Sequence, residues 1–142
     1  MAHEILSVKL CQLDERMERL HSRIRMSEAA DHVRLRREID RLERECAEAE
    51  ATLRENLRRS KSDLVSVLAR GYGQVEQVIR QSRAQLDAMA ADSPDTAAAV
   101  EEKLLLAEYA LDFAHQAADR ALLLSMDAID AQLLEQQEGK QS

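Results

Sequence analysis

The sequence predicts an all-α protein, built as a long antiparallel helical hairpin or coiled coil, with a three-helix bundle as the alternative. Three observations carry this. Turn formers are scarce, with three Gly and one Pro in 142 residues, so the chain reverses direction few times. Ala, Leu, Glu, Arg and Gln dominate, and these are strong helix formers; β-branched and aromatic residues are sparse. Apolar residues recur at alternating steps of three and four, the spacing that gathers them on one stripe of a helix.

The chain reads as a single helical domain, residues 1–142, opening with a long helix over residues 3–91. Its first seam is Leu6, Leu10, Leu13, Met17, Leu20 and Ile24. A second seam follows in Leu35, Ile39, Leu42, Cys46, Ala49 and Leu53. The eleven residues from Ile24 to Leu35 fit a stutter, a register that resumes after four extra positions. Glu28 and Asp31 fall on the bridging core positions, so residues 27–34 are either a loosely packed stretch or a short break. The absence of Gly and Pro there favours continuity. Acid-to-base pairs four residues apart (Glu15–Arg19, Asp40–Arg44, Glu50–Arg54, Glu55–Arg59 and Glu76–Arg80) support a solvated outer face.

The seam continues through Leu57, Ser60, Leu64, Val67 and Leu68, Gly71, Val75, Val78, Ser82, Leu86 and Met89. Gly71-Tyr72-Gly73 interrupts it with two of the three glycines. As a turn, residues 71–73 would divide the chain into a three-helix bundle. As helix, Gly71 lies on the packing face and permits close approach. The unbroken periodicity favours helix.

The firmest punctuation is Asp92-Ser93-Pro94-Asp95. Ser93 suits an N-cap, Pro94 the first helical position, and Asp95 the positive end of the helix dipole. A returning helix is expected over residues 94–137, with a frayed polar tail over 138–142. Its seam (Leu104, Ala107, Leu111, Ala114, Ala118, Leu122, Ser125, Ile129) is widened by a second apolar face: Leu105, Leu106, Tyr109, Phe113, Leu123 and Leu124. A stripe so broad touches more than one neighbour.

At about 1.5 Å per residue, residues 3–91 as one helix reach roughly 130 Å and the returning helix about half that. Folding back from residue 93, the latter covers residues 48–91 and leaves the seam of residues 6–46 bare. The expected remedy is a homodimer, or another helical protein laid on that seam. Breaks at 27–34 or 71–73 would instead let the chain cover its own seams.

Charge narrows the class further. Residues 1–91 carry 17 basic and 16 acidic side chains, residues 92–142 carry 3 and 11, and the formal net charge is −7. That balance speaks against a nucleic-acid binder. Arg34, Arg37, Arg41 and Arg44 share a face, but Glu38, Asp40, Glu43 and Glu45 interleave with them and no aromatic accompanies them for base stacking. No run approaches a membrane span, and the start lacks the apolar core of a signal peptide. With two cysteines that make no disulfide framework, the expected setting is cytoplasmic.

Candidate chemistry is thin. Glu18-x-x-His21 and Asp112-x-x-His115 echo the Glu-x-x-His pairs of di-iron bundles, yet only His115 lies near a core face, and no metal or cofactor is expected. Cys46 reads as a small core residue and Cys11 as an exposed one. Gly71-Tyr72-Gly73 lacks the strand, Lys and spacing of a phosphate loop. No nucleophile–base constellation is present, so no catalytic residue is assigned and the protein is not expected to be an enzyme. The leading function is a non-enzymatic interaction protein, a coiled-coil scaffold, adaptor or assembly chaperone acting through its apolar seams. Peripheral attachment to a lipid or membrane surface and a metal-binding bundle are the alternatives. An acidic last helix weighs against the first of these, since surface-lying helices usually carry Lys and Arg.

Overall fold

The structure, a computed structural model, describes residues 2–92 and 96–141. The protein is all-α: four helices and no strand among the described residues, namely α1 (Ala2–Glu28), α2 (His32–Arg58), α3 (Asp63–Asp92) and α4 (Thr96–Gln141). None is long and apolar enough to cross a membrane. The expected reversal at Ser93, Pro94 and Asp95 lies outside the described residues.

The anticipated helix over residues 3–91 is three helices. The first break falls inside the 27–34 window, where continuity was favoured. Asp31 takes extended backbone (φ −75°, ψ 168°), and its carboxylate accepts a hydrogen bond from the Arg34 amide at 2.8 Å. The Asp31 carbonyl then accepts from Leu35 N–H at 2.9 Å, the first bond of α2. Capping chemistry starts a helix here without Gly or Pro, and an Asp cap typically stabilises a helix by about 1 kcal/mol over Ala.

The second break, at residues 59–62, has no counterpart among the sequence expectations. The last turn of α2 tightens: Arg59 N–H donates to Asn56 O at 3.2 Å and Ser60 N–H to Leu57 O at 3.1 Å, three-residue spacings that close a helix end. Ser62 then caps α3. Its hydroxyl accepts from the Val65 amide at 3.3 Å and its carbonyl from the Ser66 amide at 3.2 Å. Gly71 and Gly73, by contrast, lie inside α3, and no described glycine has a positive φ. At the other end of the chain, α4 runs on to Gln141, beyond its expected end at residue 137.

The chain divides into two compact units, residues 30–103 and residues 1–29 with 104–142. In the first, α3 packs antiparallel on α2. The ion pairs fix the register: Arg83 Nη2 lies 2.6 Å from Glu43 Oε1 and Arg80 Nη1 lies 3.8 Å from Glu50 Oε2. As the α3 partner moves toward the N-terminus, the α2 partner moves toward the C-terminus. Lys103 of α4 meets Asp87 of α3 at 3.5 Å. Here lies Ala99, the one buried apolar residue among those described, 8% exposed. The second unit combines α1 with α4 from Leu104 onward. So the partner of residues 48–58 is α3, not the returning helix as the lengths suggested.

Candidate interaction surface

Between α2 and α3 lies a shallow cleft of about 270 Å³, lined by Leu53, Leu57, Ala69 and Tyr72 and flanked by Glu50 and Arg54. Its polar rim is ordered by bonds within and between the helices. Arg54 donates to Glu50 at 2.7 Å, as the four-residue spacing predicts. Glu76, expected to pair with Arg80, instead accepts the Tyr72 hydroxyl at 2.6 Å, and Arg80 reaches across to Glu50. The bond to Glu76, helped by partial burial and the Glu76 charge, pushes the Tyr72 phenol up to about 12. Across the pair, the hydrogen bond and charge of Arg83 hold the Glu43 carboxyl below its ordinary value. The arginines and Glu43 are exposed and Glu50 and Glu76 are half-buried, so these bonds set the register of the hairpin more than they hold it together.

The α2 seam is partly covered: Leu35, Ile39 and Leu42 are half-buried, while Leu53 is exposed. Cys46, expected in the core, is exposed like Cys11. The ion pairs to α3 leave α2 from Glu43 and Glu50, to one side of the seam, and Cys46 stays exposed although it lies near enough to Tyr72 to act on its phenol.

In the other unit, Leu6, Leu10 and Leu20 of α1 are half-buried, and Leu13, Met17 and Ile24 are exposed. On α4, Leu106 is half-buried, whereas Leu105, Tyr109, Leu123 and Leu124 are exposed and Phe113 stands 72% exposed. Leu104 to Leu106 and Leu122 to Leu124 are consecutive triplets. At about 100° per residue, each spreads apolar surface over more than half of the helix circumference.

Other candidates resolve into ordinary surface. His115, expected near a core face, is exposed, with Nε2 4.0 Å from Asp119 Oδ2. Among the described residues no three His, Cys, Asp or Glu converge as a metal cage. In the arginine stripe, Arg41 pairs with Glu38 at 3.2 Å, and neighbouring Arg36 pairs with Asp40 at 3.6 Å. Of the interleaved acids, Glu38 thus pairs within the stripe, Asp40 pairs beside it, and Glu43 turns away to Arg83 of α3.

One further apolar surface, whose spacing is visible in the sequence, lies on α3. Leu64, Val67, Leu68, Val75, Val78 and Met89 of α3 are all exposed, Leu64 to 83%. The seam they form lies roughly 120° around the helix from the stripe of Ala69, Tyr72, Glu76 and Arg83 that faces α2. Comparison with protein-family profiles, with curated proteins and with solved structures returns no match.

Proposed function

We propose that this chain is a non-enzymatic helical interaction protein, a scaffold, adaptor or assembly chaperone that self-associates and packs its apolar seams against partner helices. The observation that carries the reading is apolar surface left bare on α1 and around α4. Fully burying a Leu or Phe side chain stabilises by about 1.5–3 kcal/mol, and Leu13, Met17, Ile24, Phe113, Leu123 and Leu124 all remain exposed. Surface on several sides of α4 suits neighbouring helices. A lipid interface would take one face and would favour a basic polar side, whereas Asp112, Asp119, Asp127 and Asp130 make this one acidic.

The test is light scattering coupled to size-exclusion chromatography on the wild type and on Leu13→Asp/Leu20→Asp. The wild type is expected to exceed 16.1 kDa and the double variant to lose mass. A variant with wild-type mass and melting behaviour would remove the α1 seam from the assembly.

A further inference from the structure

We propose that the exposed seam of α3 pairs with α3 of a second copy of this chain, antiparallel, about a two-fold axis between residues 76 and 77. The seam has the heptad form, with Leu68, Val75, Ser82 and Met89 on one line and Leu64, Gly71, Val78 and Gln85 on the other. No charged residue falls on either. Leu64, Val67, Leu68, Val75, Val78, Ile79 and Met89 are all exposed, an unbroken apolar stripe of the kind a stable interface between copies buries.

The occupant follows from the order of sizes along the stripe. In the antiparallel pairing Val75 faces Val78 of the second copy, Gly71 faces Ser82, Leu68 faces Gln85 and Leu64 faces Met89. Small residues thus meet small ones at the centre and the outermost apolar residues meet each other, with the Gln85 amide laid over Leu68 in the layer between, in the two-fold repeat that a self-complementary interface requires. The Gly71–Ser82 layers, repeated on both sides of the axis, let the helices approach closely. A Cβ at Gly71 would meet nothing within 4 Å in its own chain, so the space there is free for the second copy.

The flanks choose the direction. One carries Gln74 and Gln81, the other Tyr72 and Ile79. Antiparallel helices bring like flanks together, Gln74 beside Gln81 and Tyr72 beside Ile79, so amide meets amide and apolar meets apolar. Parallel helices would set each Gln against the apolar flank of the other copy. The contact with α2 is centred on Ala69, Tyr72, Glu76 and Arg83 and shares with this seam only its Tyr72 edge.

The experiment uses the full chain with Cys11 and Cys46, both exposed, replaced by Ser. Val75→Cys and Val78→Cys proteins are prepared separately, mixed and mildly oxidised, with Ala84→Cys on the far side of α3 as the control. The expected product is the mixed Val75→Cys/Val78→Cys disulfide, since only directly opposed side chains meet the geometric limits of the bond. Predominant like-with-like disulfides would overturn the antiparallel arrangement. Yields no higher than the Ala84→Cys control would overturn the interface itself. Gly71→Leu should cut the mixed product about tenfold, the scale of overpacking one close layer, with helical circular dichroism retained; an unchanged yield would also overturn the proposal. Leu13→Asp/Leu20→Asp in this background should leave the cross-link intact, so failure of the α1 seam and failure of the α3 pairing are read separately.

Discussion

Tyr72 and Glu76 stand one turn apart on α3, and their 2.6 Å hydrogen bond ties the ionisation of Tyr72 to the fold. The Tyr72 phenol is raised to about 12, from about 10 in an unfolded chain. Between those values the folded state binds the proton that the unfolded state has released. The stabilisation is therefore complete below about pH 10 and is lost as pH rises through about 12. In a Tyr109→Phe background, which leaves one phenol, ultraviolet titration is expected to place the Tyr72 midpoint near 12, and Glu76→Gln should move it down. Glu43 works in the opposite sense. Its folded pKa is lowered by Arg83, so its contribution is present above the unfolded carboxylate value and disappears as pH falls through the folded one. Arg83→Ala should return the Glu43 carboxyl to the ordinary range, which side-chain NMR titration of both proteins would detect.

At the scale of the elements, two short polar motifs make the breaks. Asp31→Ala removes the bond to the Arg34 amide, and Ser62→Ala the bond to the Val65 amide. Each is expected to cost about 1 kcal/mol and to speed hydrogen exchange locally, in the first turn of α2 or α3. If the fastest exchange stayed elsewhere, the caps would not be what starts these helices. Gly73→Ala should act in the other direction. The position is helical with open space around it, so the substitution should add up to about 1 kcal/mol of helix propensity, visible as a higher melting temperature. The same elements show what the sequence makes legible. Period and composition identify helices because an apolar stripe must be buried on one side wherever the helix sits. The break at residues 59–62 was hidden because Leu57, Ser60 and Leu64 keep the three-four stepping across it. Its signal was Ser60-Lys61-Ser62-Asp63, two hydroxyls and an acid that offer the backbone a cap instead of another turn. The α3 seam was legible as a seam, but period does not say which neighbour covers it. Tyr72, Glu76 and Arg83 decided that, by placing the α2 contact on a different side of the helix.

At the scale of the whole molecule, the question is what offsets the entropy of ordering four helices. Fixing the backbone costs about 1–2 kcal/mol per residue, and isolated helices draw most of their stability in proteins from burial of an apolar face. Here a single described apolar residue, Ala99, is buried, while α1, α3 and α4 each leave Leu, Val or Ile side chains exposed. On the proposed self-association, burial between copies would supply what the chain does not bury alone, and that coupling would have a thermodynamic signature. Association that favours only the folded state makes the melting temperature depend on concentration. Each tenfold increase contributes about 1.4 kcal/mol per association step, which for a chain of this length moves the midpoint by roughly 2–5 °C. Melts followed by circular dichroism across three decades of concentration should rise accordingly. Leu13→Asp/Leu20→Asp and Gly71→Leu should each lower the slope, and their combination should flatten it. A wild-type midpoint independent of concentration would mean that α1 and α3 reach their stability without a second copy, and the seams would then have to be read as surfaces held open for a different partner helix.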